Sequence, residues 1–228
     1  MKKQKLLLLI GGLLIMIMMT ACKDSKIPEN RTKEEYQAEQ NFKPFFEFLA
    51  QKDKDLSKIQ KYLLLVSDSG DALDLEYFYS IQDLKKNKNL GKFETRKSQI
   101  EKSGGYNELE NKEVPFEYFK NNIVYPKGKP NITFDDFIIR AMDTKELKKL
   151  KVKSYLLKHP ETELKDITYE LPTQSKVIKK MRDKFKISDI KEADITFTKS
   201  GKNNFDYTLR IKTKNKRYYL GETYSFRK

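Results

Sequence analysis

Charge returns only at Lys23 after an uncharged stretch that begins at Leu6, and that stretch follows a basic start of Lys2, Lys3 and Lys5. A basic end feeding an apolar run is the pattern of an export leader. Its length sits at the short edge of what spans a bilayer. Lys23 to Arg31 is polar around Pro28 and reads as a tether. Thr32, with Glu35 three residues later, predicts a capping box opening a helix. Tyr36, Phe42, Phe45, Phe46, Phe48 and Leu49 give that helix a broad apolar surface, broken or restarted at Pro44. Leu56, Ile59, Tyr62, Leu63 and Val66 recur at three and four residues and predict a second helix over Asp55 to Val66. The oxygen-rich turn Ser67-Asp68-Ser69-Gly70-Asp71 closes it. Leu73, Leu75, Tyr77 and Tyr79 alternate, but Phe78 interrupts the polar side, which leaves strand and short helix both open.

The sharpest break in pattern is Tyr125-Pro126-Lys127-Gly128-Lys129-Pro130-Asn131, a linker over 126–131. Ile132, Phe134 and Phe137 then re-enter a core, and Leu147, Leu150, Tyr155 and Leu157 predict a helix over Lys145 to Leu157. Leu164, Ile167 and Tyr169 suggest a strand stopped at Leu171-Pro172. Val177, Ile178, Met181 and Phe185 share one side of a helix, with Lys176, Lys179, Lys180 and Lys184 on the other. Three alternating segments follow: Ala193, Ile195 and Phe197, then Phe205, Tyr207, Leu209 and Ile211, then Tyr218, Leu220, Thr223 and Phe226 with a bulge expected at Gly221. The expected fold class is α+β, with N-terminal helices followed by a mixed region and a C-terminal helix packed on a three-stranded antiparallel meander. The expected organisation is a leader (1–21), a tether (22–31), a helix-rich region (32–125), the linker (126–131) and an α+β region (132–228).

Composition changes this picture in one respect. The 228 residues carry 47 basic and 33 acidic side chains, a formal charge of +14. Loss of the leader removes three lysines and no acid, which lowers +14 to +11. Such a chain is drawn to anionic lipid, wall polymer or host surface, and Lys176, Lys179, Lys180 and Lys184 are the candidate basic binding surface. Nucleic acid is not an expected partner, because no Trp is present and no basic–aromatic motif is arranged for stacking.

Chemistry is sparse. The single histidine, His159, stands at the end of the Lys145–Leu157 pattern and suits a helix C-terminus. Asp68, Ser69 and Asp71 lack the further ligands and closing Glu of a calcium loop. Asp135 and Asp136 are adjacent and diverge on either regular structure, so they make a poor acid–base pair. Glu108, Glu110 and Glu113 read as surface. With one His and one Cys, zinc coordination and a Ser or Cys triad are also unfavoured. No catalytic residue, metal or cofactor is expected; glycan hydrolysis on two distant carboxylates and a two-lobed transporter substrate-binding protein are the minor alternatives.

Met19-Thr20-Ala21-Cys22 resembles the lipobox of bacterial lipoproteins, in which small residues fit the signal peptidase and the cysteine thiol takes a diacylglyceryl group. The resemblance implies a mature chain starting at a lipidated Cys22, held on the cell membrane and exposed outside the cytoplasm. A second resemblance lies in the last sixty residues: Tyr169-Glu170-Leu171-Pro172, the helix through Lys180-Met181-Arg182-Asp183-Lys184-Phe185, Ile195-Thr196-Phe197, and Tyr218-Tyr219-Leu220-Gly221-Glu222-Thr223-Tyr224-Ser225-Phe226. These are similar to the closing part of staphylococcal tandem-type lipoproteins, small basic surface proteins without a known enzymatic centre. The functional expectation is a non-enzymatic, lipid-anchored surface protein that binds an envelope, host or secreted-protein partner. The alternative is an immunity lipoprotein that neutralises an envelope-acting toxin.

Overall fold

The computed structural model describes residues 27–50, 56–83, 89–119, 122–124, 144–201 and 204–226. Two short helices, α1 (Lys33–Gln40) and α2 (Lys43–Ala50), precede strands β1 (Leu56–Asp68), β2 (Ala72–Asp83), β3 (Asn89–Glu101), β4 (Tyr106–Phe119) and β5 (Asn122–Val124). A single helical turn, α3 (Thr144–Leu147), leads to β6 (Val152–Leu156) and β7 (Lys165–Glu170). Helix α4 (Lys176–Phe185) and strands β8 (Glu192–Ser200), β9 (Asn204–Lys212) and β10 (Lys216–Phe226) complete the order. Thr32 opens α1 with a capping box, its hydroxyl accepting from the Glu35 amide while the Glu35 carboxylate accepts from the Thr32 amide.

All ten strands join one sheet in the order β5-β4-β3-β2-β1-β10-β9-β8-β7-β6. Every neighbouring pair is antiparallel. The sheet is therefore two meanders, one from each half of the chain, joined where β1 pairs with β10. This overturns the α+β expectation of a C-terminal helix on a three-stranded meander. β8, β9 and β10 are internal strands of the larger sheet, because β8 also pairs with β7 and β10 with β1. The expected helix-rich region fails for the same reason: after α2 it is occupied by long strands.

The helix expected over Asp55 to Val66 is the central strand β1. Ile59, Lys61, Leu63 and Leu65 lie on one face of it, and Tyr62, Leu64 and Val66 on the other. Apolar side chains on both faces erase the two-residue alternation and leave spacings of three and four. The helix expected over Lys145 to Leu157 is instead the short α3 followed by strand β6. His159 consequently caps no helix; it lies in the β6–β7 turn, where its amide donates to the Leu164 carbonyl at 2.7 Å. Gly221 forms no bulge either, since Tyr62, Gly221 and Thr208 are in unbroken register across β1, β10 and β9. The 126–131 linker, the 132–139 segment and Asp135–Asp136 lie outside the described residues.

Helices cover one face of the sheet over its C-terminal half. Leu63, Leu220, Leu209, Ile195 and Tyr169 are successive cross-strand partners on that face, and all are buried. From above, Ala38, Phe42 and Phe45 of the α1–α2 corner and Val177, Ile178 and Met181 of α4 complete the core. Phe197 joins corner to sheet, with ring centroids 6.4 Å from Phe42, 6.1 Å from Phe45 and 6.0 Å from Tyr169. Phe45 stacks on Phe205 at 5.3 Å. Such offset aromatic contacts add to the gain from burying the rings. The opposite face carries the row Thr168, Thr196, Thr208, Gly221, Tyr62 and Tyr79.

Candidate functional site

A cleft of about 490 Å³ opens where the α1–α2 corner meets α3 and β7. Its apolar walls are Tyr36, Phe46, Leu147 and Tyr169, and Lys43, Glu47 and Lys148 stand around them. α1 presents Tyr36 and Glu39 to the same side because three residues separate them on a helix. Alternation along β7 turns Tyr169 onto the covered face with Ile167.

The polar floor is built from Arg31, Glu39 and Tyr169. Arg31 is 8% exposed. Its Nε donates to Glu39 Oε1 at 2.7 Å, and its terminal nitrogens donate to the carbonyls of Asn30, Leu147 and Lys148 at 2.9, 3.4 and 3.3 Å. Tyr169 donates its hydroxyl to the same Glu39 oxygen at 2.9 Å, and the guanidinium stands 5.7 Å from the Tyr169 ring centroid. Burial, followed by the Glu39 charge, pushes the Tyr169 phenol well above its ordinary value. It therefore stays protonated and keeps donating. The arrangement ties the segment before α1 to α3 and β7 and leaves an aromatic cleft whose half-buried acid already accepts from two donors.

The sequence-derived sites fare differently. Cys22 lies outside the described residues. The four lysines of α4 do not form one free surface. Lys176 pairs with Glu146 at 3.2 Å, Lys180 and Lys184 are half-buried, and the Lys184 ammonium lies 6.0 Å from the Phe185 ring centroid. Only Lys179 is exposed without an ion pair to a described residue. Two of the β4 glutamates are engaged, Glu110 with Lys97 and Lys112 at 3.2 and 2.6 Å and Glu113 with Lys92 at 2.7 Å. Sequence reading placed Arg31 in the tether. Nothing local to Arg31 or Glu39 marks its partner, since Tyr169 is more than a hundred positions away in the chain.

Two carboxyls among the described residues, both away from the cleft, have raised pKa values. Asp206, on the open face between Thr198 and Thr223, is pushed up to about 6 by burial, against which the Thr198 hydrogen bond acts. Asp166 lies beyond Thr198 on β7 and is raised by burial alone. Two strand spacings place these backbones roughly 10 Å apart, and both residues face away from the cleft. Among the described residues no group of three or more His, Cys, Asp or Glu side chains is placed to hold a metal ion.

No family model matches the chain, and no curated protein matches it. Among solved structures it is similar to a DUF1329 family protein from Desulfovibrio piger, with 6% identity, a TM-score of 0.22, and coverage of 82% of this chain and 92% of that one. A likeness at that level bears on neither fold nor function.

Proposed function

We propose that this is a non-enzymatic, lipid-anchored binding protein of the bacterial surface, and that the cleft between the helical corner and β7 receives an apolar or aromatic part of an envelope, host or secreted partner. The observation that carries this reading is the cleft: about 490 Å³, a size ordinary for small ligands and anchoring side chains, with aromatic walls. Its half-buried carboxylate supports binding over catalysis, because Glu39 Oε1 already accepts from both Arg31 and Tyr169. The Met19-Thr20-Ala21-Cys22 motif supports the anchor.

The test is capture from envelope extract and culture supernatant on the immobilised full chain, in parallel with Gln40→Trp. Gln40 is exposed and lines the cleft, so an indole there obstructs the opening without entering the core. A partner retained by the native chain and lost by the variant is the expected result. Equal retention by both overturns the cleft as the binding place. Chemical alteration of the retained partner overturns binding without chemistry.

A further inference from the structure

Three hairpin turns stand side by side at one end of the sheet: β1–β2 at 69–71, β3–β4 at 102–105 and β9–β10 at 213–215. Backbone hydrogen bonds fasten them into one rim. The Asp68 amide donates to the Asn215 carbonyl at 3.3 Å, and the Lys102 amide donates to the Asp71 carbonyl at 3.0 Å. The segment entering β8 joins the same rim, its Lys191 amide donating to the Lys212 carbonyl at 2.8 Å.

The β9–β10 end of this rim is strongly basic. Lys212, Lys214, Lys216 and Arg217 are all exposed and surround a recess of about 90 Å³ with Asp68, Val66 and Leu73. None of the four makes an ion pair with a described residue. Lys212 and Arg217 are direct cross-strand partners, a like-charge pairing that opposes folding. Two nearby acids, Asp68 and Glu192, are already engaged. Asp68 accepts from the Gly70 amide and pairs with Lys102 at 3.6 Å, while Glu192, beside Lys212, pairs with Lys153 and Arg210 at 2.7 and 3.0 Å. At the other end of the rim, β3 and β4 expose apolar side chains. Ile100 and Tyr106 are cross-strand partners 37% and 61% exposed, and Leu109 is 64% exposed beside the register shift in β4.

We propose that this rim docks the protein on an anionic phospholipid bilayer, with the four cations at the level of the phosphates and Ile100 and Tyr106 at the headgroup boundary. Exposed cations that make no ion pair with a described residue, set on a fixed row of turns, complement a negatively charged surface. The adjoining exposed aromatic and aliphatic groups distinguish a bilayer interface from a soluble acidic polymer, which offers nothing to bury them. Six residue steps lead from Cys22 to Pro28, a reach of at most roughly 20 Å, so a lipidated Cys22 keeps the body beside the membrane. The inference draws its membrane address from the proposed anchor but is independent of the cleft.

The test uses the full chain inserted into preformed vesicles with its folded body outside, in phosphatidylcholine alone or in an equal mixture with phosphatidylglycerol. Acetylation of each lysine is read by mass spectrometry. Labelling of Lys212, Lys214 and Lys216 is expected to fall several-fold in the anionic vesicles and to recover near 0.5 M salt, where screening acts over a few ångströms. Lys158, in the β6–β7 turn at the opposite end of the sheet, is expected to label equally in both. The paired variant Lys214→Glu and Lys216→Glu should abolish the protection of Lys212. Equal labelling of the rim in both vesicles overturns the proposal, as does protection that survives the charge reversal. Stronger protection by added inorganic polyphosphate on neutral vesicles than by phosphatidylglycerol overturns the bilayer as occupant. None of these outcomes depends on capture of a partner by the cleft.

Discussion

Lys61 of β1 and Glu222 of β10 face each other across the seam that joins the two halves of the sheet, Nζ to Oε1 at 3.8 Å, with side chains 8% and 2% exposed. Tyr224 donates its hydroxyl to the other Glu222 oxygen. A charge pair in this position is costly to break from one side, because the remaining ion stays buried. Lys61→Met is expected to destabilise the fold by roughly 3–5 kcal/mol. Lys61→Met combined with Glu222→Gln should recover most of that loss, since Gln is neutral and still accepts from Tyr224. Denaturant titration of the native, single and double variants checks this; additive losses in the double variant contradict it.

On the opposite face of the same seam, the Tyr62 ring crosses Gly221 so that its hydroxyl reaches Thr208 Oγ1 at 2.7 Å. A Cβ at position 221 would collide with that ring. Gly221→Ala is expected to cost roughly 1–3 kcal/mol through overpacking. Adding Tyr62→Ala to it should make the alanine at 221 nearly neutral, as a thermal melt of the pair against Tyr62→Ala alone would show.

Asp206 gives the fold a pH dependence. Its carboxyl titrates near 6 in the folded chain against an ordinary 3.8, so the folded state holds the proton more tightly than the unfolded one. Its favourable contribution is fully present below about pH 4 and is lost as pH rises through about 6. Asp206→Asn, which is always neutral, should raise the melting temperature at pH 8 and leave it nearly unchanged at pH 4. A shift of equal size at both pH values would contradict the assignment.

The proposed anchor has its own readout. Intact-mass analysis of membrane fractions is expected to show a diacylglyceryl-modified chain beginning at Cys22, and Cys22→Ala should abolish the modification and leave a precursor. A native chain that still carries Lys2, or that partitions into detergent without added lipid mass, would sink the proposed address.

Local chemistry was legible in the sequence wherever one short segment decided the outcome. Thr32 and Glu35 announced a capping box that forms as read. The three-and-four spacing of Val177, Ile178 and Met181 places all three in the core beneath α4. The alternation of Phe205, Tyr207, Leu209 and Ile211 predicted a strand buried on one face, as β9 is. Tertiary structure alone decided the rest. β1 reads as a helix because a central strand meets neighbours on both sides and carries apolar residues on both faces, so no single-segment periodicity marks it as a strand. The pairing of β1 with β10 joins positions some 160 residues apart, and strand pairing partners leave no trace in either strand's own pattern. The cleft is non-local in the same way: Arg31, Glu39 and Tyr169 are unremarkable residues until the corner folds onto β7 and one carboxylate accepts from both of the others.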